Sequence, residues 1–186
     1  MAQNWNGGQD KVFARLAVCD EPETVRALAG ILRENGYTVS FARDGEADFL
    51  LLPAGEDFSG SGRIAVYLPD SGNFTQKSAE YAENFACCVL DYDCPFREKL
   101  TGCKLLTYSM DSDFADFTVR NLRQAPDGGS VFEIVGVGLI GRIKLLDGDR
   151  DAVKSLLALA AAALVCGVPF AGVLDVLNRG NGAEEK

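Results

Sequence analysis

The side chains most able to do chemistry here are carboxylates, and they stand in three sets. Asp20, Glu21 and Glu23, with Thr24 beside them, follow directly on the apolar run Leu16-Ala17-Val18. Asp91 and Asp93 close the apolar run from Cys87 to Leu90, and Asp111, Asp113 and Asp116 form the third set. Clustered carboxylates can ligate a divalent cation or move protons. They can also cap a helix, whose N-terminus favours negative charge by roughly 0.3–1 kcal/mol per group. The chain of 186 residues has no histidine. That excludes Ser-His-Asp and Cys-His catalysis, imidazole metal ligation and a histidine pH switch together. Six cysteines, Cys19, Cys87, Cys88, Cys94, Cys103 and Cys166, include no C-x-x-C pair, so they read as reduced, buried, small apolar residues rather than zinc or redox ligands.

The elements that must position these groups read as one α/β domain. A strand from Ala14 to Val18 leads into Asp20-Glu21-Pro22-Glu23, an acidic version of the capping box. A helix follows, with Val25, Leu28, Ile31 and Leu32 at helical spacing and Asn35-Gly36 as its stop. Strands are predicted over 38–42, 47–52, 63–68 and 87–92, with a turn over 43–46 and a helix over 75–85. The last of these strands is continuously apolar, the mark of a sheet covered on both faces. From Lys104 the runs 104–109, 114–122, 131–137 and 141–146 suggest antiparallel hairpins, in which Asp111, Asp113 and Asp116 protect an exposed edge. An almost wholly apolar helix over 151–166 stops at Gly167-Val168-Pro169, and a short one over 170–177 precedes a frayed tail. Residues 1–13 read as a flexible arm carrying Trp5 and Phe13, 14–178 as the single domain and 179–186 as the tail.

The formal charge is −9, from 18 basic and 27 acidic residues, and the basic residues form no cluster along the chain. Such a surface argues against nucleic acid and anionic membrane as partners. The N-terminus lacks the apolar core of a signal peptide, and the run Leu156 to Val165 is too short to cross a bilayer. The expected location is the cytoplasm.

Three stretches, in order, resemble the central, ATP-binding domain of the Mur ligases and folylpolyglutamate synthetase-like ligases. Leu16-Ala17-Val18 with the run Ala27 to Tyr37 is similar to the strand and helix flanking that family's phosphate loop. Val89-Leu90-Asp91-Tyr92-Asp93-Cys94-Pro95 resembles its N-x-D-D-P strand end. The stretch Gly148 to Val153 with Ala158 to Ala162 and Gly167-Val168 resembles its closing helix. The resemblance implies a mainly parallel, P-loop NTPase-like sheet flanked by helices, with an antiparallel insertion in the C-terminal half. It also implies ATP and Mg²⁺ as the family's cofactors, a phosphate loop at Asp20, Glu21, Glu23 and Thr24, and an adenine base near Asp91 and Asp93.

The departures from that pattern are specific. The loop Cys19-Asp20-Glu21-Pro22-Glu23-Thr24 has neither the glycines that let backbone amides wrap a phosphate nor the lysine that neutralises it. The family's metal-binding histidines have no counterpart in Leu68-Pro69-Asp70-Ser71-Gly72-Asn73-Phe74, and its modified lysine falls near Asn84 or Phe85. Arg150-Asp151 stands where His-Asn is due. The expectation is therefore a stand-alone pseudo-ligase domain with no cofactor and no catalytic or metal-binding residue. It would act as a binding or regulatory module tied to peptidoglycan synthesis, with a homodimer and a partner ligase or cell-wall enzyme as its associations. The alternative is a nucleotide-binding protein or ligase-like enzyme with a site rebuilt around Asp91 and Asp93. Asp20-Glu21 also resembles the acidic pair of response-regulator receivers, which keeps a receiver-like pseudo-domain as a further alternative. That reading needs an aspartate after Leu52, where Pro53 stands.

Overall fold

The structure is a computed structural model that describes residues 15–42, 46–53, 65–126, 128–146 and 148–180. The expected arm with Trp5 and Phe13, residues 43–45 of the turn expected over 43–46, and 181–186 lie outside them. The first strand, β1 (Arg15–Cys19), runs into α1 (Pro22–Glu34), whose inner face buries Val25, Leu28, Ala29, Ile31 and Leu32. Gly36, at φ +84°, ends that helix. Its amide donates to the Arg33 carbonyl and the Tyr37 amide to that of Leu32, a left-handed cap that a Cβ would strain.

Next come β2 (Val39–Ser40), β3 (Phe49–Pro53), β4 (Ala65–Leu68), α2 (Gln76–Ala82) and β5 (Cys87–Asp91). After them lie β6 (Lys104–Ser109), β7 (Phe117–Gln124), β8 (Ser130–Gly136) and β9 (Leu139–Leu145), then α3 (Arg150–Val165) and α4 (Phe170–Gly180). Among the described residues nine strands make one sheet, in the order β2-β3-β1-β4-β5-β6-β7-β8-β9. Pairing is parallel from β2 through β7 and antiparallel from β7 to β9. As its unbroken apolar run predicts, β5 is buried along its whole length. Val89 points into the core under α1, α3 and α4, and Cys88 and Leu90 into the core under α2.

Several expectations are corrected. The strand β6 is not a hairpin arm, since it runs parallel to β5 over five paired residues and parallel to β7 over two. The cause lies in the connection. The Asp116 carboxylate accepts from the Thr107 amide and hydroxyl, at 2.7 and 2.8 Å, and the Asp116 amide donates back to that hydroxyl. The loop is thereby tied down beside β6, and β7 leaves in the same direction. The third acidic set is accordingly not an exposed hairpin edge. Asp116 closes the loop, Asp113 pairs with Arg120 at 2.7 Å, and Asp111 pairs with Arg150.

The acidic capping box at α1 is absent too. The N-cap is Glu21, with no side-chain cap, and Asp20 points elsewhere. A capping box does occur at α2, where Thr75 and Ser78 serve each other's amides. Finally, α4 runs through Gly180, past the expected start of fraying. The Asn178 side chain accepts from the Lys144 amide and donates to the Arg142 carbonyl, at 2.9 and 3.0 Å, and so docks on β9.

Candidate functional site

Ligands of open α/β sheets sit beyond the carboxyl ends of the strands. A cleft of about 300 Å³ lies there, between the start of α1, the loop after β4, Tyr108 near the end of β6, and the first turns of α3. Glu21, Thr24, Asp70, Asp151, Lys154 and Ser155 are its polar lining. Each helix presents its N-terminal turn to the cleft for a local reason. Pro22 stands in the first turn of α1, where no amide partner is needed. Asp149 caps α3 by accepting from the Asp151 and Ala152 amides at 3.0 and 2.9 Å.

The residues at the expected phosphate-loop position separate. Asp20 turns inward and accepts from the Tyr67 hydroxyl at 2.8 Å and the Asp70 amide at 2.9 Å, while its own amide donates to the Leu68 carbonyl. Tyr67 is almost wholly buried. That burial, with Asp20 alongside, raises its phenol well above the ordinary value, so it remains a neutral donor. Glu21 and Thr24 face the cleft, and the Thr24 hydroxyl donates to the Glu21 carboxylate at 3.2 Å. Glu23 points to solvent beside Arg26, at 3.7 Å.

The second expected pair is partly drawn to the same place. Asp91 is buried at the end of β5 and forms an ion pair with Lys154, a residue that lines the cleft from α3. The other carboxylate oxygen of Asp91 accepts from the Asp93 amide at 2.9 Å. Asp93 in turn accepts from the Ser109 hydroxyl at 3.4 Å. Asp91 is therefore not a solvated loop carboxylate, whereas Asp93 sits a step outside the cleft. Arg97 stacks over the neighbouring Tyr92 ring, 3.8 Å from its centroid.

Sequence reasoning missed Lys154, Asp70, Tyr67 and Tyr108. Only Lys154 carried a signal, as the one charged residue between Ala152 and Val165 in an otherwise apolar helix. The cleft thus brings three carboxylates and one lysine to its surface, and the lysine is already engaged by Asp91. Among the described residues no group of three or more histidine, cysteine, aspartate or glutamate side chains could hold a metal ion.

No protein-family model matches the chain, and no curated protein matches it by sequence. Solved structures do match. A UDP-N-acetylmuramoyl-L-alanyl-D-glutamate–2,6-diaminopimelate ligase superposes with a TM-score of 0.66 at 17% identity, over 91% of this chain and 46% of its own. The MurF ligase of Thermotoga maritima in complex with ADP gives 0.65 at 14% identity, over 88% and 48%. A pseudomurein peptide ligase type C from Methanothermus fervidus gives 0.60 at 15%, over 92% and 50%. The chain therefore has the Mur ligase-like α/β fold, and it spans about half the length of the structures it matches.

Proposed function

We propose that this chain is a Mur ligase central-domain-like module that has given up ATP-dependent ligation and serves as a cytoplasmic binding or regulatory unit, working alongside a genuine cell-wall ligase. The observation that carries this reading is the inward turn of Asp20. The residues a phosphate loop would use for anion capture hold an aspartate bonded to Tyr67 and Asp70, and the next residue turns a second carboxylate, Glu21, into the cleft.

The lining does not fit a magnesium triphosphate. A phosphate brought within about 4 Å of a carboxylate costs roughly 4 kcal/mol per charge pair at an effective dielectric near 20. Glu21, Asp70 and Asp151 would each impose such a term, and the Lys154 ammonium already faces Asp91.

A thermal-shift titration tests the reading. A ligand present at about 100 times its dissociation constant adds roughly 2.7 kcal/mol to stability. ATP, ADP and UDP-sugar peptides, each with Mg²⁺, are titrated in turn. The expected result is no shift with either adenine nucleotide. A clear shift with ATP, or ADP release by the purified chain, overturns the proposal.

One observation favours a second reading, a rebuilt ligand site. Lys154, held by the buried Asp91, is a positioned cation in a cleft at the ligand-binding end of the sheet. A shift with a UDP-sugar peptide that disappears in Lys154→Met would select it. The homodimer remains a proposal as well, and native mass spectrometry showing only monomer at micromolar concentration overturns it.

A further inference from the structure

The strands β5 and β6 begin at the end of the sheet opposite the cleft, with Cys87 and Lys104 as their first residues. Their register sets Cys87 beside Lys104 and Val89 beside Leu106. Side chains alternate along a strand, so these four share the face that carries Val89 and Phe117 into the core with α3. The next strand, β7, joins β6 only at Tyr108 and Ser109. The stretch from Lys104 to Leu106 is therefore left without a β7 neighbour, and α3 runs out above it at Leu164 and Val165. The result is a hollow of about 470 Å³, walled by Leu106, Phe117, Leu164 and Val165, with Cys87 and Lys104 at the strand starts.

The lining is apolar apart from one charge. Cys87 and Phe117 are buried, and Leu106, Leu164 and Val165 are partly buried against the core. Burial pushes the Cys87 thiol up to about 11, against the pull of the Lys104 ammonium, so the thiol stays neutral and the ammonium is the charge presented to the hollow. Lys104 is exposed and makes no ion pair among the described residues. Asp116 lies within electrostatic reach of Cys87, but its carboxylate is taken up by the Thr107 amide and hydroxyl. A helix C-terminus carries negative potential. Here it is offset, because the Cys166 carbonyl accepts from the Arg15 guanidinium and the Gly167 carbonyl from the Tyr37 hydroxyl. Small-molecule pockets typically enclose about 300–1,000 Å³, with mainly apolar walls and a few placed polar groups. The hollow has that size and that make-up, and its whole lining falls within the described stretches 65–126 and 148–180.

We propose that this hollow binds a free alkyl carboxylate, whose chain lies against Leu106, Phe117, Leu164 and Val165 and whose carboxylate meets Lys104. Charge complementarity selects this occupant over the others. An alkyl ammonium would set its charge against that of Lys104, and an uncharged chain would leave the ammonium without a counter-charge. The neutral Cys87 thiol beside Lys104 adds no repulsion to the bound anion. The hollow lies at the opposite end of the sheet from the cleft, so the inference stands whether or not the proposed function does.

The test is isothermal titration calorimetry of the whole chain with sodium octanoate. Saturable binding is expected, with affinity rising about fourfold for each methylene added between butanoate and hexanoate. Octylammonium should not bind. Lys104→Met, which keeps the aliphatic stem and removes the charge, should weaken octanoate by about tenfold or more, whereas Lys104→Arg should retain it. The side chain is exposed, and an unchanged melting temperature would show that both variants fold. Val165→Phe fills the hollow and should abolish binding. The proposal is overturned by unchanged octanoate affinity in Lys104→Met or in Val165→Phe, by equally tight binding of 1-octanol, or by no saturable binding at all. Tighter binding of a leucine-ended peptide than of octanoate would overturn it by assigning the hollow to a chain terminus. A dimer that octanoate dissociates would overturn it too, by assigning the hollow to a second copy.

Discussion

At the scale of single residues, the molecule is set by where a few charged side chains find partners. The Asp20 carboxylate is satisfied by one hydroxyl and one amide, both from the strand-loop segment 67–70. Tyr67→Phe removes the hydroxyl and leaves a carboxylate part-buried with a single donor. Hydrogen bonds to charged groups are each worth about 1.5–3 kcal/mol, and solvent near Asp20 offsets part of that. The expected loss is about 1–2 kcal/mol, read as a lower urea midpoint at unchanged slope. Asp91 is the more demanding case, because its side chain is 10% exposed while that of Lys154 is 40% exposed. Lys154→Met leaves the buried carboxylate without its cation, at a cost of about 1–3 kcal/mol after allowing for the half-exposed lysine. Adding Asp91→Leu should recover much of that loss. A double-mutant cycle in urea measures the coupling, and strictly additive losses would show that the pair contributes nothing. Neither partner announces the other in the sequence, since one closes an apolar strand and the other opens a helix far along the chain.

At the scale of elements, the helices were legible and the direction of some strands was not. Periodicity places α1, α2 and α3 within one to three residues of their observed ends, because amphipathic spacing and stop signals such as Asn35-Gly36 and Gly167 are local properties. The last helix was read too short, because nothing local shows that Asn178 fills the hydrogen-bonding edge of β9. That contact is itself testable. Asn178→Ala removes two hydrogen bonds of about 0.5–1.5 kcal/mol each and bares the Arg142–Lys144 backbone. The expected outcome is a stability loss of about 1–2 kcal/mol with faster hydrogen exchange at the Lys144 amide. Unchanged exchange there would show that α4 protects β9 by other means. The misreading of β6 has the same origin. A short connection between two apolar runs looks like a hairpin, and only the Thr107–Asp116 bonds show that the chain returns alongside in parallel.

At the scale of the whole molecule, the two cores on either side of the sheet hold most of the thiols. Burial raises Cys19 and Cys88 far above the ordinary value of 9.0, Cys87 to about 11 and Cys166 to about 12. The folded chain therefore keeps thiol protons that the unfolded chain releases above pH 9.0. Their contribution to stability is complete below that pH and is lost as the pH rises through the folded values. Urea midpoints should be flat across neutrality and fall above about pH 9, and a midpoint that rises there would contradict the burial of these groups. Much of the molecule was settled by the residues in order. The unbroken apolar run that becomes β5 marks a sheet covered on both faces, and the first loop, Cys19 to Thr24, holds neither glycine nor lysine whatever surrounds it. These are local matters of spacing and composition, which the chain carries unfolded or folded. Tertiary structure alone decided that Asp20 faces Tyr67, that Lys154 meets Asp91, and that β6 runs parallel to β7. Each of those depends on strand register or on contacts between residues distant in the chain, and neither exists until the sheet has closed its cores.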